Sequence, residues 1–516
     1  MSIRGRAGWL MPAGLFAAAF FASRAYFLAY PLTAIYGDST SYYALAEVIG
    51  VQRFPDFSMR PPVYPLFLAI FLRGTLTAVS VAQFALSFSS GVAMIWAASR
   101  WRPWLAWPVA AAMAAFMVSS QHLEHDTAVL AESTHTSLIV LSMAFLFAGL
   151  STRHFASIVM SSTAMSLAIL TKPLAHFLLV IAALLVAFLI WNRYGARFIA
   201  AFVVPMTVLL LGMCGYNFAT MNAFTTTAFG EVNIAFATLT FWEQDPKYPH
   251  EINEVIAGVQ GHMRRVLTQP DREVLDTSWD PASLANVFNK GFTWDALSGV
   301  MKPTKGAGDD YFGRRGWIRT IAFDAIKHHP EYYAKFVYTQ IVYFFAINIA
   351  RQELDYTDIL RSRAQTLYSL SLPGGQVNST RTWTITQKYV GNPPAFVRVD
   401  DRGEATLVEQ RSAARSLYET CLAVRRQLLV TTLWVWIYAV GLLLSTYRVM
   451  QTRARSEGPF ILWLLNLSVL GVCLVVSLVE VAMPRYSYVT EFVYYLNAAL
   501  FPLLWQDPPE PRRVAR

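Results

Sequence analysis

The feature that most limits what this chain can become is a recurrence of apolar runs close to bilayer-crossing length. A helical span needs roughly 17–25 predominantly apolar residues. Runs near that length lie at about 7–30, 76–99, 104–118, 133–150, 155–170, 174–191, 198–216, 428–445, 460–479 and 488–505. Lipid offers the backbone no hydrogen bonds, so segments of this kind cross it as helices. The composition agrees. Of 516 residues, 55% are hydrophobic and 15% charged, where a soluble chain carries about a quarter charged. The mean hydropathy is +0.37. The fold class expected is an all-α polytopic membrane protein.

Charge placement then orients the spans. The 42 Lys and Arg exceed the 33 Asp and Glu by 9, and the excess collects in short connections rather than in a nucleic-acid patch. Arg100 and Arg102, Arg153 and His154, residues 192–197 and residues 447–455 are short and basic, the mark of a cytoplasmic side. Arg4 and Arg6 precede the first run. That run is longer than a cleavable signal core and is read as a retained signal anchor. Arg24, in its outer part, is expected to snorkel toward the headgroups.

Ten spans with both termini inside satisfy these constraints. Residues 1–216 form a seven-span module whose first outer loop is 31–73, and 217–427 an extracytoplasmic region. Residues 428–505 form a three-span module, and 506–516 a cytoplasmic tail. The polar segments 217–330 and 351–426 are expected to pack together into a small domain, because structureless insertions of that size are uncommon. Between them, 331–349 is apolar enough to cross, but a crossing there would invert every later basic connection. Its tyrosines and Lys335 suit an interfacial helix instead. Cys214, Cys421 and Cys473 are too widely spaced for a disulfide framework or a zinc site.

The candidate chemistry gathers at outer span ends. Asp38 opens a helical pattern carrying Tyr42, Leu45, Ala46 and Ile49 on one side; by itself it could be no more than a helix N-cap. Arg60 stands before Pro61 and Pro62, which holds it extended. Glu132 opens the fourth span, where an acid also complements the helix dipole. Lys172 precedes Pro173 in the shortest outer connection, and Arg485 and Tyr486 open the last span. Tyr42, Tyr64, His122 and Asp126 lie on the same connections and are expected as secondary substrate contacts. Each group alone has an ordinary structural explanation. Together they describe carboxylates among fixed cations, which suit a phosphate and a base for an acceptor hydroxyl. His122, His125 and His135 match no metal-ligand spacing, so no cofactor is assigned and a divalent metal stays open.

Arranged in order along the chain, an acid after span one, R-P-P-x-Y-P-L at 60–66, A-E-S at 131–133, Thr171-Lys172-Pro173, the segment 216–224, His329-Pro330-Glu331-Tyr332 and Arg485-Tyr486 resemble the GT-C glycosyltransferases. More narrowly, the pattern is similar to the protein O-mannosyltransferase and lipid A aminoarabinose transferase branch. Where the aminoarabinose branch has Glu-Lys before its proline pair, this chain has Met59-Arg60, keeping the cation without the acid. The resemblance implies a GT-C-like helix bundle that takes a sugar from a polyprenyl-phosphate donor. It implies a lipid, lipopolysaccharide or cell-wall glycan acceptor on the periplasmic face of a bacterial inner membrane. It makes Asp38 the catalytic carboxylate and Glu132 the second acid. Arg60, Lys172 and Arg485, with Tyr486, would hold the donor phosphate. A single displacement at the anomeric carbon would invert it. The competing class is a transporter or flippase that binds a lipid-linked glycan through the same cations; paired halves and broken mid-membrane helices mark many transporters, and no such symmetry is visible here.

Overall fold

The computed structural model describes residues 8–51, 57, 60–71, 75–227, 229–291, 311–350, 356–368, 394–401, 404–408, 413–428, 431–479 and 484–505. They divide into two compact units: 1–214 with 351–469 and 488–516, and 215–350 with 470–487.

The first unit begins with α1 (Leu10–Ala29), the short helices α2 (Gly37–Gly50) and α3 (Val63–Phe71), and the long α4 (Leu76–Trp101). Then come α5 (Ala106–Met117), α6 (Ser120–Asp126), α7 (Ala131–Thr152), α8 (Phe155–Ile169), α9 (Phe177–Trp191) and α10 (Ala196–Met221). Among the described residues, seven helices are long and apolar enough to cross a bilayer. An eighth crossing results if the segment Pro103–Met117 and α6, bent by 69° to one another, count together. The break falls at Ser119, whose hydroxyl accepts the His122 N–H at 3.0 Å and so starts a new helix. The other two expected crossings, α8 and the last one, are helical but short: a 15-residue helix reaches only about 22 Å, against about 30 Å of hydrocarbon.

Small and polar residues let these helices approach. A side chain at Gly91 would strike Phe16 at 2.4 Å, and one at Gly149 would strike Ile158 at 2.5 Å. Ser142 and Ser161 exchange hydrogen bonds between α7 and α8, each hydroxyl donating to the other's carbonyl at 3.0 and 2.8 Å. This is the packing expected where no hydrophobic effect drives helices together.

The connections sort themselves by contact. At one end, Asn192 donates to Ala454 O at 2.9 Å and Arg153 meets Glu457 at 2.6 Å, joining the basic connections. Other connections are joined to one another: Ala34 bonds to Thr127 and Val129, and Val63 to Leu170.

The second unit holds α11 (Phe229–Thr238), α12 (His250–Val266), α13 (Gln269–Thr277), α14 (Pro281–Gly291), α15 (Tyr311–His328) and α16 (Pro330–Ala350) around a core that includes Trp242, Ile256, Leu284 and Phe336. α16 is not among the helices apolar enough to cross. Lys335 is no headgroup anchor, however. Its ammonium is fully buried and donates to Leu275 O at 2.7 Å and Asp276 O at 2.9 Å, closing the C-terminal end of α13, with Glu331 2.9 Å away. Lys335→Met should leave those carbonyls unsatisfied at a cost of about 1–3 kcal/mol. The apparent unfolding temperature of the purified protein should fall by about 2–4 °C per kcal/mol; an unchanged temperature would contradict this account.

The segment after α16 does not join that unit. Its described parts, α17 (Tyr356–Tyr368), the hairpin β1 (Val397–Val399) and β2 (Ala405–Leu407), and α18 (Ala413–Leu428), belong to the first unit. The expectation of one domain from both polar segments gives way here, because α18 is amphipathic and lies along α1, with Tyr418 stacked on Tyr26. The hairpin is also a small departure from an all-helical chain. α19 (Thr431–Gln451), α20 (Glu457–Val479), α21 (Pro484–Tyr488) and α22 (Glu491–Leu500) complete the order. Asn497 donates to Asn466 at 2.6 Å, and Asn466 to Ser445 at 3.3 Å, a polar seam through three apolar helices.

Candidate active site

Two ion pairs occupy the end of the first unit opposite the basic connections, and each is built the same way. In the first, Asp38 is the second residue of α2. Tyr36 is the N-cap, and its N–H is taken by Ser39 Oγ at 2.9 Å. Asp38 is thus not needed as the cap, and its carboxylate turns to Arg60, 2.7 Å from Nη2. In the second, Glu132 is the second residue of α7 and meets Lys172 Nζ at 2.7 Å. Both cations stand immediately before a proline, where the backbone is extended; at Lys172 the angles are φ −150° and ψ 132°. An acid in a helix's first turn and a pre-proline cation make each pair rigid at both ends.

Backbone bonds hold these connections side by side. Val63 N–H, three residues beyond Arg60, donates to Leu170 O at 3.1 Å, two residues before Lys172. Ala34 N–H donates to Thr127 O, and Val129 N–H to Ala34 O, both at 2.9 Å, while Ser39 Oγ donates to Val129 O at 2.7 Å. The loop carrying Asp38 is thereby tied to the turn before Glu132. Arg363 of α17 adds a brace, donating to Leu32 O at 2.9 Å and Thr127 Oγ1 at 2.7 Å. The side chains differ in access: Asp38 is 24% exposed and Arg60 16%, against 12% for Lys172 and 3% for Glu132. Asp38 is the more exposed of the two acids.

Tyr42 and Tyr64, expected at the substrate surface, lie behind it. Arg60 sits over the Tyr42 ring at 4.8 Å, a contact that favours a cation. Tyr42 packs edge-on against Tyr64 at 4.9 Å. Burial pushes the Tyr64 phenol well above its ordinary value, so it stays protonated and donates to Gln83 Oε1 at 3.0 Å. Gln83 Nε2 in turn lies 2.9–3.1 Å from the carbonyls of His125, Asp126 and Ala128. These tyrosines brace Arg60 because both rings are enclosed.

No protein-family model matches the chain, and no curated protein matches it. Among solved structures, a crystal structure of ArnT from Cupriavidus metallidurans bound to undecaprenyl phosphate is similar over 91% of this chain and 77% of its own, at 13% identity and a TM-score of 0.33. So loose a likeness places no individual residue.

His122 and Asp126 leave the expected substrate surface altogether. Asp126 has no exposed side-chain surface and pairs with Arg24 Nη2 at 2.7 Å. It accepts from Ser87 at 2.7 Å and from Ser133. His122 Nε2 lies 3.2 Å from the same carboxylate, and its Nδ1 is 2.5 Å from Tyr488 OH. Arg24 therefore does not snorkel: it turns into the bundle, donates to Ser23 and Met117 O, and lies 3.9 Å over the Phe20 ring. A buried carboxylate was within reach, and pairing there avoids leaving either charge alone in apolar surroundings. His135, also buried, bonds through Nδ1 to Ala168 O at 3.1 Å. Among the described residues no group of three or more His, Cys, Asp and Glu converges as a metal site would require.

Tyr486 is buried in α21 and belongs to the second unit, and the side chain of Arg485 lies outside the described residues. Sequence reasoning missed Gln83, Ser87 and Arg363. The first two carried a signal: Ser80, Gln83, Ser87 and Ser90 are all fully buried, a polar stripe at helical spacing inside an apolar span. Such a stripe faces protein.

Proposed function

We propose that this protein is a membrane glycosyltransferase that moves a sugar from a polyprenyl-phosphate donor to a lipid, lipopolysaccharide or cell-wall glycan. The reaction takes place on the extracytoplasmic face of a bacterial inner membrane. The observation that carries this reading is the pair of rigid carboxylate–cation bridges on adjoining connections, Asp38–Arg60 and Glu132–Lys172. The motif order resembling the GT-C enzymes agrees with it.

The chemistry follows from the charges. The donor phosphate brings anionic oxygens that compete with Asp38 for Arg60 and with Glu132 for Lys172. As Arg60 turns to phosphate, the Asp38 carboxylate is released toward the acceptor. The acceptor oxygen attacks the anomeric carbon, the carbon–oxygen bond to phosphate breaks, and polyprenyl phosphate leaves with the electron pair. Asp38 takes the acceptor proton. The cations stabilise the charge growing on the leaving group, usually the largest contribution in such sites. One displacement inverts the anomeric centre. Arg485 is a third phosphate ligand on the sequence pattern.

Purified protein in proteoliposomes, given labelled polyprenyl-phosphate sugars and a panel of acceptor lipids and glycans, tests this. Formation of a new glycosidic bond supports the reading. Movement of intact donor between leaflets without transfer would replace it with the transporter reading. Arg60→Ala and Lys172→Ala should each raise the KM for donor about 10–100-fold, as loss of a charge-assisted hydrogen bond implies. A donor KM unchanged in both variants would remove the phosphate from these cations.

A further inference from the structure

The second unit contains a cavity of about 360 Å³, inside the size range of small-ligand sites, which the chemistry above does not use. It opens between α12, α13, the turn Leu239–Phe241 and the start of α16. His329-Pro330-Glu331-Tyr332, one of the motifs in the sequence pattern, supplies part of its wall through His329 and Tyr332.

The lining has three chemistries. His329 and Tyr332 stack in parallel, 5.4 Å apart at 8°, and Phe241 packs at 6.0–6.1 Å from both. This aromatic wall suits the apolar C–H face of a pyranose ring. Polar groups sit beside it. His329 Nε2 lies 3.1 Å from Glu243 Oε1. Thr240 Oγ1 is buried and, among the described residues, has no hydrogen-bond partner. The Thr240 methyl fills the space at Gly291, 2.4 Å from where a Cβ would stand, so the hydroxyl is turned away from that helix. Finally, Arg264 and Arg272 line the cavity, and neither is paired with a carboxylate among the described residues.

We propose that this cavity binds a sugar unit carrying an anionic group, a carboxylate or a phosphate ester. The ring lies on the Phe241–Tyr332–His329 wall. Its hydroxyls are met by His329 and Glu243, and its anion by Arg264 and Arg272. The proposal stands apart from the glycosyl-transfer reading, because the cavity lies wholly within the second unit and uses none of the residues assigned to transfer.

The test is saturation-transfer NMR and titration calorimetry on the full chain in nanodiscs, with glucuronic acid, glucose 6-phosphate, glucose and inorganic phosphate as probes. Both anionic sugars should bind, with glucose and inorganic phosphate clearly weaker. In the Arg264→Ala/Arg272→Ala double variant, anionic sugars should weaken about 10–100-fold, the size expected for lost charge-assisted contacts. Tyr332→Leu should weaken all three sugars while leaving phosphate unchanged. Either outcome of the following kind overturns the proposal: inorganic phosphate binding as tightly as the sugar phosphate, or both variants binding like wild type. So does the absence of any sugar binding to a wild-type chain that is monodisperse and folded.

Discussion

Asp38→Asn is expected to lower kcat by about 10²–10⁴-fold, the usual contribution of a positioned general base, with the donor KM little changed. The amide keeps a carbonyl oxygen within reach of Arg60, so the loop and its cation stay in place while the group that accepts the proton is gone. Steady-state transfer with a fixed acceptor and varied donor separates the two parameters. Glu132→Gln is the informative partner. Glu132 is nearly enclosed beside Lys172, so its loss should act chiefly through donor binding. If Glu132→Gln abolishes turnover and Asp38→Asn does not, the base is Glu132. If Asp38→Asn transfers sugar as fast as wild type, Asp38 has no part in the chemistry.

The second large effect concerns folding. Asp126→Ala should destabilise the first unit by about 3–5 kcal/mol, because it leaves the Arg24 guanidinium buried without its counter-charge. The variant should be recovered in detergent mostly as aggregate, and any folded fraction should melt well below wild type. Replacing both partners, Arg24→Met with Asp126→Leu, should recover most of the loss, since a buried pair exchanged for apolar side chains is often neutral or better. This pattern separates a structural pair from a catalytic one. An Asp126→Ala protein that melts like wild type but no longer transfers sugar would restore Asp126 to the substrate surface.

Much of the architecture was legible because it is local. Whether a stretch can cross a bilayer is a sum over its own residues, and the described residues of every expected span are mainly helical. The basic connections were legible for the same reason: Arg100, Arg153, Arg193 and Arg453 stand next to the spans whose ends they mark. The extended setting of Arg60 and Lys172 could be read from the proline that follows each. What could not be read is which charge answers which.

Arg24 shows the difference. From its own neighbours it is a cation near the end of a span, and snorkelling is the ordinary outcome. Its partner, Asp126, lies 102 residues away, on a helix whose bend at Ser119 brings the carboxylate into the bundle. The same holds at the site. Asp38 and Arg60 are 22 residues apart and Glu132 and Lys172 are 40, and nothing in either segment's composition chooses its partner. Tyr42 and Tyr64 look like binding residues until the packing encloses them behind Arg60. The sequence alone determined a polytopic helical membrane protein with acids and pre-proline cations gathered at one end of its spans. Only the tertiary structure decided that they form two bridges, Asp38–Arg60 and Glu132–Lys172, and that Arg24, His122 and Asp126 hold the bundle together. Hydropathy and proline geometry act within a few residues, whereas charge pairing depends on which helices are packed side by side.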